Sequence, residues 1–289
     1  MVRITKLISL FTLVILLGTC EFPDHGGLPP PPENVPMDLE PRWSPDGRYL
    51  IYTHVDTLPD TTSGIKILDL ETGESWFVLR GLPWEYFNPT WSPDGRWILF
   101  NHGGDAIFKA RLTDSLSVDS SSIQFLVEGN NPDWSPCGDL IAFDRIGDSG
   151  GIWLANTGAT RVWWIFRGAM PSWGPCGSRL LTFNVIIDTS GNILREFRFD
   201  PGSGPFDWAP DGEYIVFERH PTEPRGIFVI DTSESFEIKL FDSSDREYSY
   251  PSFSPTSEKI AFNSWNPEHT KIVLWIIRRD GTNLRQVTF

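Results

Sequence analysis

Trp91-Ser92-Pro93-Asp94-Gly95 decides how the chain is read, because nearly the same five residues return throughout it. Trp43 opens WSPDG, Trp134 WSPCG, Trp173 WGPCG, Trp208 WAPDG and Phe253 FSPTS, so six copies stand at intervals of 35 to 48 residues. A pattern returning at such a period marks a repeat architecture with one supersecondary unit per copy. The pentapeptide reads as the tip of a β-hairpin. Pro presets φ at the first central position, Asp or Cys follows, and Gly takes the φ > 0 that closes the turn. In the sixth copy Ser257 stands where the turn wants glycine, a local cost of about 1 kcal/mol.

Each turn is followed by an apolar run: Tyr49-Leu50-Ile51-Tyr52, Trp97-Ile98-Leu99-Phe100, Leu140-Ile141-Ala142-Phe143, Leu180-Leu181-Thr182-Phe183, Tyr214-Ile215-Val216-Phe217 and Lys259-Ile260-Ala261-Phe262. Apolar residues on both faces indicate a strand covered on both sides, as when sheets stack on one another. From about Glu40 each unit reads as four short strands, A to D, with the motif at the A–B turn. The first unit has them at 40–44, 48–54, 64–70 and 75–80, and the others repeat the scheme. The fourth reads as 170–174, 179–186 and 193–199, after which Pro201-Gly202-Ser203-Gly204-Pro205 leads into the next unit. That blade is therefore expected to be three-stranded. No segment keeps a long 3.6-residue period, so helix is expected to be negligible. Radially repeated four-stranded units of about 40 residues build β-propellers. The expectation is an all-β, six-bladed β-propeller of four-stranded antiparallel blades over residues 39–289. Its ring would close by packing between blades, with Val35–Leu39 available as an added edge strand.

The ends and the charge narrow the functional classes. Arg3 and Lys6 followed by the apolar run Leu7–Leu17 read as a signal peptide over 1–19, too short to span a bilayer comfortably. Residues 20–38, with Gly26-Gly27 and Pro29-Pro30-Pro31-Pro32, read as a Pro/Gly-rich tether. A formal charge of −14 makes nucleic acid or an anionic membrane surface an unfavourable partner.

Two resemblances add to this. Leu17-Gly18-Thr19-Cys20 resembles a lipobox, which implies lipidation at Cys20 and membrane attachment only through it, although Thr19 departs from the small residues that motif prefers. The aromatic-Ser-Pro-Asp-Gly turn with its Ile-Ala-Phe-like strand resembles the repeat of the TolB family, over about residues 40 to 289. That resemblance implies the propeller fold, and B–C and D–A loops that face a binding partner. The separate α/β domain that TolB carries before its propeller is not expected from any stretch of these residues.

The residues just before each motif aromatic are Arg42, Thr90, Asp133, Ser172, Asp207 and Ser252. Those two beyond each strand-B aromatic are His54, His102, Arg145, Val185, Arg219 and Ser264. Arg42, His54, His102, Asp133, Asp144, Arg145, Asp207 and Arg219 are the candidates for a mixed polar ring at the axis. Such a ring is either a funnel for a peptide, loop or small polar ligand, or a solvated channel mouth. His54 and His102 beside Asp144 raise a metal site, but Arg145 and Arg219 in the same ring oppose a cation, so no metal and no cofactor is expected. Gly147-Asp148-Ser149-Gly150-Gly151 matches a serine-protease nucleophile motif in letters only, since the triad needs a different fold around it. GxSxG and HExxH do not occur.

Cys137 and Cys176 occupy equivalent turn positions in adjacent repeats, and equivalent points on neighbouring blades lie farther apart than a disulfide usually spans. Two separate thiols are the favoured reading, with a bond open if the turns lean together. Trp76, Trp84, Tyr86, Trp163, Trp164 and Trp265 serve packing between outer strands, or stacking on a sugar or partner. The expected function is that of a monomeric, non-catalytic cell-envelope lipoprotein, facing the periplasm or cell surface, whose propeller holds an envelope protein or peptide at the B–C loop face. The alternatives are a propeller-fold hydrolase or lyase at the central funnel, and a carbohydrate-binding module.

Overall fold

The motif turns form as their chemistry requires. Ser44 N–H donates to Tyr49 O and Gly47 N–H to Ser44 O, each at 2.9 Å, while Asp46 Oδ1 accepts from Ser44 Oγ at 2.6 Å and from Arg48 N–H at 3.0 Å. The second copy repeats these bonds through Ser92, Asp94, Arg96 and Trp97. In the third, where Cys137 replaces the turn Asp, the Ser135 hydroxyl turns to Asp139 at 2.9 Å instead. Ser257 adopts φ 58°, and its Oγ accepts the neighbouring turn's Asp211 N–H at 3.1 Å, which offsets part of the strain.

In the computed structural model, residues 35–56, 62–83, 85–147, 150–198, 205–219, 226–242 and 250–289 are described. The expected signal peptide and most of the expected tether, with Cys20, and also Trp84, Asp148 and Ser149, lie outside them. Sixteen of the described strands form four separate four-stranded antiparallel blades, and the remaining eight form one sheet that divides at the parallel β1–β23 pair into blades I and VI. Blade I is β1 (Met37–Trp43), β2 (Tyr49–Val55), β3 (Ser63–Asp69) and β4 (Ser75–Gly81). Blade II is β5 (Tyr86–Trp91), β6 (Trp97–His102), β7 (Ala106–Leu112) and β8 (Val118–Glu128), and blade III is β9 (Asn130–Trp134), β10 (Leu140–Arg145), β11 (Gly151–Asn156) and β12 (Val162–Phe166). Blade IV is β13 (Ser172–Trp173), β14 (Arg179–Thr182), β15 (Val185–Asp188) and β16 (Ile193–Glu196). Blade V is β17 (Phe206–Trp208), β18 (Tyr214–Arg219), β19 (Gly226–Asp231) and β20 (Glu237–Phe241), and blade VI is β21 (Ser252–Phe253), β22 (Lys259–Trp265), β23 (Ile272–Arg278) and β24 (Arg285–Gln286).

Blade IV corrects an expectation, for it has four strands rather than three. The run 179–186 is not one strand: Phe183 takes φ 49°, the chain reverses at Phe183-Asn184, and Thr182 pairs with Val185. Val185–Asp188 is then strand C, and Ile193–Glu196 becomes the outer strand.

Apolar cores lie between blades rather than within them. Ile98 and Phe100 of β6 join Ile51, Ile65 and Ile67 of blade I, whereas Leu99 between them joins Ile141 and Phe143 of blade III. The same alternation unites blades III and IV, IV and V, and V and VI. Leu50, Tyr52 and Leu68 of blade I meet Ala261, Leu274 and Ile276 of blade VI, so the series returns on itself. A fully buried Phe contributes about 2–3 kcal/mol by area alone, and one such aromatic stands in this strand position in blades II, III, V and VI.

Closure has a second component. Pro36 O accepts Ile272 N–H at 3.1 Å, and Met37 pairs in parallel with Ile272, so β1 reaches onto blade VI while β24 covers the rest of β23. The edge-strand option for Val35–Leu39 is thus realised alongside packing. The turns interlock around the same ring. A Cβ added to Gly95 would lie 3.8 Å from Pro45, one on Gly138 4.0 Å from Pro93, one on Gly212 2.9 Å from Pro175, and one on Gly47 3.7 Å from Pro255.

Candidate functional site

The inner strands present two successive rows to the axis. Three residues before the motif aromatic stand Glu40, Asn88, Asn131, Met170, Pro205 and Tyr250, and all but Pro205 have positive φ. This is a bulge, seen as a register shift between Leu39 and Arg42 and between Phe87 and Thr90. The N–H it frees is captured from the preceding blade. Asn88 N–H donates to Glu40 Oε2 at 2.7 Å, Met170 N–H to Asp144 Oδ2 at 2.6 Å, and Glu40 N–H to Asn263 Oδ1 at 3.3 Å. The free space enclosed by this row is about 30 Å³, room for a water or two rather than for a peptide.

One row deeper lie Arg42, Asp133 and Asp207, which the structure does bring together at the axis. Arg42 Nη1 stands 4.0 Å from Asp207 Oδ1. Asp133 Oδ2 accepts Trp173 N–H at 2.8 Å, Asp207 Oδ2 accepts Phe253 N–H at 2.7 Å, and Ser172 Oγ donates to Asp207 Oδ1 at 3.0 Å. Burial pushes the Asp133 carboxyl up to about 6, against the pull of the Arg42 charge, and raises that of Asp207 in the same way. Burial likewise raises Glu40 and Asp144. These carboxylates spend their oxygens on backbone N–H groups of the next blade, which makes them clasps between blades.

His54, His102, Arg145 and Arg219 do not join this ring, and the reason is geometric. Strand B lies one strand out from the axis, and its side chains alternate toward the two neighbouring blades. A residue two beyond the strand-B aromatic shares that aromatic's face and lies across its own blade. His54 Nδ1 stands 2.6 Å from Asp38, with its ring edge-on to Phe77. His102 stacks on Tyr86 at 4.8 Å, with Nε2 3.4 Å from Glu85. Arg219 lies 4.2 Å above Phe228 and makes a two-pronged ion pair with Glu237. The residue only one beyond the aromatic is the buried polar one: Thr53, Asn101, Asp144, Glu218 and Asn263. Asp144 belongs to that row. Among the described residues no three His, Cys, Asp or Glu side chains gather in metal-binding proximity.

Arg145 leads elsewhere. Its Nε donates to Glu128 O at 2.9 Å, and its guanidinium lies 4.2 Å over the Trp153 ring. It borders an open recess of about 950 Å³ on the B–C loop face between blades III and IV, with Ile146, Gly147, Gly150, Gly151, Trp164, Arg167 and Phe183 around it. Ile146 is 77%, Trp164 50% and Phe183 40% exposed, a concentration of unburied apolar surface on one face. Sequence reasoning singled out Trp164 and Arg145 but missed Ile146, Arg167 and Phe183. Phe183 aligns with the buried strand-B aromatic of the other copies and is thrown outward by the blade IV hairpin. Of the other aromatics, Trp76 donates to Leu116 O at 3.2 Å, Trp163 packs at the III–IV core, and Trp265 is buried against Leu39, as packing predicts.

The turn face carries the two cysteines. Both are free and exposed, and the Cys137 thiol donates to Cys176 O at 3.3 Å. The turns therefore approach more closely than equivalent points on separate blades were expected to, because they nest into one another.

No protein-family model and no curated protein matches the chain. Solved structures share its architecture. A TolB protein from Agrobacterium tumefaciens aligns with a TM-score of 0.62 at 20% identity, over 77% of this chain and 87% of its own. A hydrazine synthase from Kuenenia stuttgartiensis gives 0.56 at 16%, over 85% and 78%. An oligogalacturonate lyase from Vibrio parahaemolyticus gives 0.54 at 15%, over 86% and 91%. Likeness at these identities establishes a TolB-like propeller fold, which proteins of quite different names share.

Proposed function

We propose that the chain is an exported, non-catalytic cell-envelope lipoprotein, anchored through Cys20, whose propeller holds a protein or peptide partner on the B–C loop face. The observation that carries this reading is the recess between blades III and IV, where Ile146, Trp164 and Phe183 stand exposed beside two arginines. Apolar surface concentrated on one face of a rigid scaffold is the usual mark of a docking site. The basic n-region, the apolar run and the lipobox-like end at Cys20 support export and anchoring. The axis, with room for little more than water, favours the loop face over a central funnel.

The test is site-specific photo-crosslinking in cells, with the reactive residue at Phe183 and, as control, at Asp94 on the turn face. The expected result is a discrete adduct from position 183 whose partner, once purified, binds the isolated domain and is lost with Trp164→Ala. Adducts of equal yield from both positions would remove the loop face from the argument. Globomycin sensitivity of processing, with Cys20→Ser as control, tests the anchor.

A further inference from the structure

We infer that Glu40, Asn88, Asn131 and Asp144 form a proton-binding chain across blades I, II and III, and that at neutral pH it holds one proton, on Glu40 Oε1. The chain is continuous. Asn131 Nδ2 donates to Asp144 Oδ2 at 2.9 Å, and Asn88 Nδ2 donates to Asn131 Oδ1 at 3.2 Å and to Asn101 Oδ1 at 3.5 Å. The other end of the Asn88 amide, its Oδ1, then lies 2.7 Å from Glu40 Oε1. Two oxygens at that separation, the usual length of an O–H···O bond, need a proton between them. Glu40 Oε2 already accepts twice, from Asn88 N–H and from Thr53 Oγ1, each at 2.7 Å, so the proton falls to Oε1.

Reversing the amides does not remove the requirement. Asn88 turned end for end would give Glu40 an N–H, but would set its own oxygen against Asn131 Oδ1 and Asn101 Oδ1. The Asn101 amide is fixed by its Nδ2, which donates to Gly129 O at 2.8 Å. Turning Asn131 as well only moves the conflict to Asp144. Two carboxyls joined through two amides stay one donor short until one of them is protonated. The surroundings favour that state, since Glu40 and Asp144 are both buried and burial raises both carboxyls. Around Glu40, Thr53 of β2, Asn88 of β5 and Asn263 of β22 are neutral. Arg42 on its own strand opposes the rise, and Tyr250 is the other titratable group of the cavity lining. Asp105 adds its charge at the Asp144 end. The proton thus ties three blades at the axis, and its loss sets two oxygens in contact across the boundary of blades I and II.

The experiment observes the proton by carbon-13 NMR of the full chain labelled at its side-chain carboxyls. The expected result at pH 7.5 is one glutamate carboxyl at its protonated position, absent from Glu40→Gln and retained in Glu218→Gln, the other buried glutamate among the described residues. Gln at position 40 reproduces the protonated carboxyl, its Nε donating to Asn88 Oδ1 and its Oε accepting from Thr53 and Asn88, so this variant should fold. Denaturant unfolding supplies the second readout. A carboxyl raised in the folded state stabilises the fold at low pH, and that contribution is lost as pH rises to the folded value. Above about pH 6, where the Asp133 contribution ends, the folding constant of the parent should fall by up to about tenfold per pH unit relative to Glu40→Gln, until Glu40 itself ionises. Glutamate carboxyls that are all ionised at pH 7.5 in the parent overturn the inference, whether or not the variant folds. A protonated aspartate in place of the glutamate overturns the placement on Glu40. A constant ratio of the two folding constants from pH 6 to 8 overturns it as well.

Discussion

The two ends of the ring are built from opposite strategies. At the turn end, six copies of one hairpin nest so that proline or an equivalent from each blade fills the space beside the next blade's turn, and the indoles of Trp43, Trp91 and Trp173 donate to carbonyls of the preceding blade. At the loop end the connections differ blade by blade. Between blades III and IV they leave large apolar side chains in water, beside guanidinium groups with no carboxylate partner among the described residues. Regularity at one end supplies the stability that lets the other end be irregular.

Substitutions should separate the two ends. The largest effect is expected from Trp173→Ala, which removes a buried indole and its bond to Asp133 O. It should cost about 3–5 kcal/mol in denaturant unfolding, without altering what the loop face binds in the still-folded protein. A loss of binding larger than the loss of folded fraction would break the separation. Next is the axis. The Asp133 carboxyl is raised to about 6 in the folded state against about 3.9 in an unfolded chain. Folding therefore takes up a proton in this window, and this contribution makes the protein more stable as pH falls from about 7 toward 4, levelling off below the unfolded value. Asp133→Asn keeps an oxygen for Trp173 N–H. It should raise stability at pH 7.5 by about 1–2 kcal/mol, the lost attraction to Arg42 limiting the gain, and flatten that part of the pH profile. Unchanged pH dependence would mean that Arg42 neutralises the charge more fully.

Gly95→Ala, at φ +70° with room for the methyl beside Pro45, should cost about 1 kcal/mol of stability and leave peptide binding unchanged. The smallest effect belongs to the cysteines. Both thiols should react with maleimide in the native protein, and Cys137→Ser should shift the melting midpoint by no more than about 2 °C, as expected for a surface site. A protein that resists labelling until reduced would show that the nested turns had been joined covalently.

The share of all this that is readable in the sequence depends on where each feature gets its geometry. Turn chemistry is local, so Pro93, Asp94 and Gly95 announce their conformation without help from the fold, and six such announcements define a ring. Strand phase is not local. Which way His102 or Arg145 points depends on the blade packed against it, and a reading one residue out of phase exchanges the buried row of Thr53, Asn101 and Asp144 for side chains lying across the blade. The bulge of the inner strand does leave a trace, since Pro follows Glu40, Asn88, Asn131, Met170 and Tyr250 in five of six copies, but its carboxylate clasps come from other blades. Phe183 is misjudged because its neighbours match the buried strands of the other units, and only the reversal at Asn184 turns it outward.

The position of β1 has a mechanical consequence. Whatever pulls on the chain ahead of Val35 pulls on the innermost strand of the ring rather than on an outer edge. That strand is gripped on several sides: Glu40 binds Asn88 and Asn263, Arg42 O receives the Trp91 indole, and Trp43 reaches Ser252 O. Drawing it along its own length loads these bonds together, in shear, whereas an outer strand would peel away one pair at a time. A domain held from that end would be held through the strand that closes its ring.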